Sequence, residues 1–194
     1  SDITNLSKYI RSRLAFPIKA QKQRRNDKIV FEYFREKFYA QGIYVFKDAF
    51  GDNSVSGLCV YDVNFPVIII NNAMSFSRQS FTLFHELYHL LSNTGGAEII
   101  RDDFYSYLNE TQAVTEKDCD TFANEFLIPT DDFLLETKDK VLSDTLIAEL
   151  STTYSVSKEA IMYKLYSLKR ITSDDYNALK EVFYGDAIRT KRTK

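Results

Sequence analysis

The sequence predicts an α+β fold: a small antiparallel sheet packed on helices, one of which carries His-Glu-x-x-His, followed by a helical, helix-turn-helix-like C-terminal part. Three observations predict it. Between residues 43 and 70, three short runs rich in β-branched and aromatic residues are separated by turn-forming segments. On both sides of them apolar residues recur at helical spacing. The chain of 194 residues is 44% hydrophobic and 27% charged, with fifteen Phe, thirteen Tyr and no Trp, which is enough apolar material for a sizeable core and argues against disorder.

Bulk properties also narrow the setting. No apolar run approaches the roughly 20 residues that span a bilayer, so no membrane association is expected. The opening SDITNLSKYIRSR has no apolar stretch after its charges and is no secretory signal. It does not begin with Met, and the chain reads as a piece of something longer. Cys59 and Cys119 make no disulfide framework and read as reduced, buried thiols of a cytoplasmic protein. Charge is uneven. Residues 1–40 hold ten Lys/Arg against four Asp/Glu (net +6), residues 41–144 six against seventeen (net -11), and residues 145–194 nine against six (net +3). Such asymmetry bears on partners, not on fold.

The elements follow in order. Residues 1–25 are basic and read as a lead-in or linker, flexible or helical. Residues 26–130 form the main domain and 131–194 a helical segment. Val30, Phe34 and Phe38 mark one face of a helix, with Gly42 where a C-cap belongs. Ile43–Lys47, Gly57–Tyr61 and Val67–Ile70 read as strands, and the short turns between them predict an antiparallel meander. A helix is expected from about Ser77, as its N-cap, to Ser92, stopped by Asn93, Gly95 and Gly96. Residues 97–115 carry no clear pattern. A second helix is expected from about Thr115 to Leu127, ended by Pro129.

The first of these two helices carries the chemistry. FTLFHELYHLL (residues 81–91) contains His85, Glu86 and His89, and residues four apart lie on one helical face, so both imidazoles can reach one ion. Zinc favours such nitrogen donors. Glu86, next to His85 in sequence, projects beside the ion, where it can take a proton from an activated water and pass it to a leaving amine. Metal-assisted peptide hydrolysis needs this spacing. A chance match on a core-facing helix is the alternative. Against it, these are the only two histidines, the helix around them is strongly apolar, and a further ligand follows downstream.

A catalytic zinc usually takes three protein ligands and keeps one position open. With no third His, a carboxylate is expected, and EKDCDTFANEFLIP (residues 116–129) offers Glu116, Asp118 and Asp120. Cys119, Phe122, Ala123, Phe126 and Leu127 form the buried stripe. At about 100° per residue Glu116 lies roughly 50° from its centre and Asp118 about 110° away, towards solvent. Glu116 is therefore the better ligand. Asp120, one turn on, either lies on a solvated face or accepts a hydrogen bond from a ligand imidazole and fixes its tautomer.

FTLFHELYHLL together with ExDxDxFANEFLIP resembles the ImmA/IrrE family of zinc metallopeptidases. Glu116, Asp118, Cys119, Asp120, Phe122, Ala123, Leu127, Ile128 and Pro129 stand at the places of the family's second helix motif, with Asp for the second Glu, Cys for Ala, Asp for Asn and Ile for Met. GIYVF and FPVIIIN also resemble the family's N-terminal half. The resemblance covers residues 27–130 strongly and the rest weakly. It implies a zincin-like domain, Zn2+ as cofactor, a gluzincin-like site with Glu116 as third ligand, and endopeptidase activity on a DNA-binding repressor, often encoded nearby on a mobile element or stress operon.

Two other segments have competing readings. Val67–Asn71 is either an edge that holds an extended substrate or a buried central strand. Residues 146–168 read as two helices joined around Tyr154–Ser155, with Ser157 capping the second and Val156, Ile161 and Leu165 as its apolar set. A DNA reader wants basic and amide side chains on that second helix; only Lys158 and Lys164 qualify, so direct nucleic-acid binding is not favoured over a packing or docking unit. The rival to an endopeptidase is a metal-sensing transcriptional regulator or repressor-binding protein that does not cut. The basic run Arg11, Arg13, Lys19, Lys22, Arg24 and Arg25 speaks for that rival, and the general base Glu86 against it.

Overall fold

The computed structural model describes residues 2–51, 54–94, 96–99 and 108–181. The elements run α1 (Asp2–Arg13), α2 (Ile18–Arg24), α3 (Asp27–Ala40), β1 (Tyr44–Asp48), β2 (Val55–Val60), β3 (Val67–Asn71), α4 (Phe76–Leu91), β4 (Gly96–Ile99), α5 (Glu110–Leu127), α6 (Thr130–Glu136), α7 (Asp144–Tyr154) and α8 (Lys158–Ser167). Residues 173–181 are also helical. This is the α+β arrangement expected, with a helical C-terminal part.

The sheet is not an antiparallel meander. Its order is β1-β3-β2-β4, with β1 parallel to β3 and β2 antiparallel to both β3 and β4. The reason lies in β3. Val67–Ile70 is apolar at every position, and such a run is best placed between two other strands. The β2–β3 hairpin therefore inserts β3 beside β1, pairing Val45 with Ile68 and Cys59 with Ile68 from the other side. A central β3 has no edge left for an extended substrate, which settles its two readings in favour of the buried strand.

Helices α3 and α4 pack on one face of this sheet. The expected face of α3 is buried at Val30, Phe34 and Phe38. Gly42, in the left-handed region (φ 76°), lets the chain turn: its N–H reaches Tyr39 O at 3.0 Å and that of Ile43 reaches Phe38 O at 3.0 Å, closing the helix in a Schellman motif. Gly57 has a different task. A Cβ there would collide with the side chain of Thr82, so its absence lets α4 lie close on β2.

A column of phenylalanines joins the helices. The rings of Phe34 and Phe84 meet edge-on at 4.9 Å, and Phe84 stacks on Phe126 at 3.9 Å. Phe16 joins from the N-terminal segment, 5.0 Å from Phe34. Each fully buried side chain of this kind contributes about 1.5–3 kcal/mol. Since Phe84 precedes His85 and Phe126 lies on α5, the column also fixes how the two site helices face each other.

The first 25 residues form α1 and α2, and α1 packs along α5. Arg11 Nη2 donates to Phe126 O at 2.5 Å, and Gln21 Nε2 donates to Leu127 O at 2.9 Å and Tyr154 O at 2.8 Å. These side chains satisfy the carbonyls that the ends of α5 and α7 leave open. Lys22 pairs with Asp132 at 2.9 Å and Glu136 at 2.5 Å. Much of the basic run therefore serves internal contacts.

Both site helices start earlier than the sequence suggested. Ser75, not Ser77, caps α4, accepting from Arg78 N at 3.3 Å. Helix α5 begins at Glu110, with Asn109 and Gln112 in a reciprocal capping box.

Candidate metal centre

Four side chains expected from sequence meet where α4 crosses α5. His85 and His89 project from one face of α4, 2% and 3% exposed, with ring centroids 5.1 Å apart. Glu116 on α5 reaches both: its Oε2 is 3.1 Å from His85 Nε2 and its Oε1 3.3 Å from His89 Nε2. One turn further, Asp120 Oδ1 is 3.0 Å from His85 Nδ1. The ion pairs of the two histidines run to Glu116 and Asp120 and not to Asp118. Glu86 is wholly buried, both carboxylate oxygens included.

The proton inventory of the two rings favours a cation at their meeting point. A carboxylate can only accept, so His85 donates to Asp120 from Nδ1, which leaves a lone pair on Nε2. His89 Nε2 is buried and makes no hydrogen bond, standing only within ion-pair range of Glu116. Two imidazole nitrogens thus face one carboxylate. A positive charge between them, an ion or protons, is what such a group needs, and two nitrogens with one carboxylate oxygen is the donor set of a catalytic zinc.

Cys119 adds a donor that sequence reasoning did not weigh as a ligand. It is buried on α5, and its Sγ and one nitrogen each of His85 and His89 all lie within 4.8 Å of one another. Its position three residues after Glu116, on the same face, was the available signal. The two donors differ in readiness. Burial alone raises the carboxyl of Glu116, but the facing imidazoles of His85 and His89, when they carry protons, outweigh it and bring it to about 2. Burial, reinforced by Glu116, Asp120 and Glu86, pushes the Cys119 thiol far up. Glu116 is therefore an anion already, whereas Cys119 must first lose a proton.

The C-terminal helices give less to a DNA reader than their pattern suggested. Ser157 caps α8, accepting from Ala160 N at 3.1 Å, and Ser155 turns the chain at φ 53°. Val156, Ile161 and Leu165 are buried as expected. However, Lys164, one of the two basic candidates, is 3% exposed and pairs with buried Glu125, so it cannot meet a phosphate.

Comparison with known proteins agrees with this architecture. A solved structure of a Mycobacterium tuberculosis transcriptional regulator superimposes with a TM-score of 0.56 at 15% identity, over 84% of this chain and 46% of that one. This likeness concerns the fold, and the chain spans about half the length of that protein. No curated protein matches. No described helix is long and apolar enough to cross a membrane. The family model described as the IrrE N-terminal-like domain, a peptidase family, matches residues 39–166, which is 128 of 194 residues. That span takes in the sheet, both site helices and the paired histidines, and the chain belongs to the IrrE N-terminal-like family of metallopeptidases.

Proposed function

We propose that the protein is a zinc-dependent endopeptidase that cleaves a DNA-binding transcriptional repressor. One observation carries the reading: the Nε2 atoms of His85 and His89 converge on the Glu116 carboxylate, beside a wholly buried Glu86. His85, His89 and Glu116 hold the metal, and Asp120 holds the His85 ring in the tautomer that presents Nε2. A bound zinc supplies Lewis acidity, polarising the scissile carbonyl and acidifying a water. Glu86 accepts the proton of the attacking water on a carboxylate oxygen and returns it to the leaving amine. Its burial excludes bulk water, which would compete for that proton. Substrate backbone capture by strand addition falls to β4, which pairs with β2 alone among the described residues and packs against α4.

Support for a repressor as substrate comes from the family and from the acidic middle of the chain, which suits a basic partner. The rival, a metal-dependent regulator that does not cut, rests on the α7–α8 turn, and the burial of Lys164 weighs against it. The test is incubation of the zinc-loaded protein with the DNA-binding product of the neighbouring gene, read by mass spectrometry. Specific fragments are expected, and Glu86→Gln should keep the metal and lose at least about a hundredfold in rate. Binding of that product without cleavage, unchanged in Glu86→Gln, selects the rival.

A further inference from the structure

Past the second histidine, α4 ends in a turn that brings a hydroxyl back onto its own ligand. Asn93 sits in the left-handed region at φ 54°. Its N–H reaches Leu90 O at 3.4 Å, and that of Thr94 reaches His89 O at 2.9 Å, the two bonds of a Schellman motif. This closure places Thr94 Oγ1 2.9 Å from His89 Nδ1. Thr94 Oγ1 is in turn 2.9 Å from Ser92 Oγ, which donates to Tyr88 O at 2.7 Å.

The direction of this chain follows from its far end. A carbonyl has no proton, so the Ser92 hydroxyl hydrogen points to Tyr88 O. Ser92 Oγ must then accept from Thr94, and Thr94, its only hydrogen committed, must accept from His89 Nδ1. The proton of neutral His89 is thereby held on Nδ1, and the lone pair is left on the buried Nε2 that faces Glu116. Asp120 does the same for His85 with a carboxylate.

We infer that Thr94 is a positioning residue for His89: through the Ser92–Tyr88 carbonyl relay it fixes the Nδ1–H tautomer and so keeps Nε2 ready to bind a metal. The purpose of the device rests on the metal reading proposed above; its geometry does not. A helix-ending turn thus does the work usually given to a separate carboxylate or carbonyl.

The chain has only two histidines, so their tautomers can be read directly. Nitrogen-15 imidazole spectra of the chelator-treated full chain at about pH 8, above the ordinary imidazole range, should show a proton on His89 Nδ1 and none on its Nε2. In Thr94→Val, His89 should move to Nε2–H while His85 stays, and zinc affinity should fall about 10–100-fold by competition with a chromophoric chelator. Thr94→Ser, which keeps the hydroxyl, should restore both. Ser92→Ala, which frees the Thr94 hydrogen to turn towards the ring, should give a mixture of tautomers even if the valine variant folds poorly. An unchanged His89 tautomer in both Thr94→Val and Ser92→Ala overturns the inference. A wild-type chain that shows the expected tautomers but takes up no zinc overturns the metal reading instead.

Discussion

Asp120 Oδ1 lies 3.0 Å from His85 Nδ1, while Glu116, one helical turn earlier on the same face of α5, lies 3.1 Å from the other nitrogen of that ring. One imidazole is gripped at both ends by two carboxylates whose spacing of four residues matches the helical repeat. The two contacts serve different ends: one fixes the proton, the other marks where an ion is held.

Asp120→Ala should therefore weaken zinc binding by about 10–100-fold without unfolding the protein, because His85 then loses the acceptor that holds its proton on Nδ1. Asp118→Ala should leave affinity unchanged, since neither histidine pairs with Asp118. Chelator competition on the two variants measures this. Equal loss in both would mean that the effect is general acidity near the site and not the hydrogen bond.

Glu116 and Cys119 compete for the third place in the metal's shell, and the two can be separated. Glu116→Ala should abolish tight zinc binding. Cys119→Ala should keep it, since the thiol is buried and held protonated. Cobalt substitution adds a second readout, because a thiolate ligand produces a strong near-ultraviolet charge-transfer band. That band in the wild type, lost in Cys119→Ala, would assign the sulfur to the shell and correct the proposed ligand set.

The Glu116 carboxyl also makes acid stability predictable in the metal-free protein. Its value in the folded chain is about 2, below the ordinary 4.5, because the histidines favour the ionised form. A depressed carboxyl contributes stability above its unfolded value, and that contribution is lost as pH falls from about 4.5 towards 2. The difference in urea midpoint between wild type and Glu116→Gln, measured with chelator present, should shrink as pH falls from about 5 towards 2. A difference that stays level down to about pH 3 would mean that the histidines do not stabilise this anion.

Much of this was legible in the sequence because helices keep their periodicity in any context. His85, His89, Glu116 and Asp120 follow from spacings of four on two helices, and the angular separation of Glu116 from Asp118 was enough to sort them. The sheet was less legible. Short turns favour hairpins, but the pairing of β1 with β3 depends on which strand most needs two neighbours, a comparison across elements that no local window makes. The start of α5 was hidden because its capping box uses Asn109 and Gln112 and the first turns are polar. Thr94 was invisible for a different reason: its relation to His89 exists only once Asn93 adopts a left-handed conformation.

Residues 41–144 hold six Lys/Arg against seventeen Asp/Glu, a net of -11. The fold shows where some of that charge is offset: Lys8 pairs with Asp131, and Lys22 with Asp132 and Glu136, all at α6 and away from the histidines. Glu116 and Asp120 on α5 stand at the site itself. Zinc and any charge on its histidines add positive charge locally, so an acidic field felt by a partner must come mostly from beyond the metal's own ligands. Such a field repels nucleic-acid phosphates and draws in a basic DNA-binding protein, and it speeds encounter more than it tightens the final complex. If the proposed repressor is the substrate, its cleavage at low concentration should slow as salt rises, since exposed charges are screened over about 8 Å at physiological ionic strength. The measurement is the initial rate across a salt series, with bound zinc assayed at each point. Under saturating substrate the same series should be nearly flat, because encounter no longer limits the rate. A flat profile at low substrate would remove steering from the account and leave the histidines, Glu116 and Glu86 with their proposed roles unchanged.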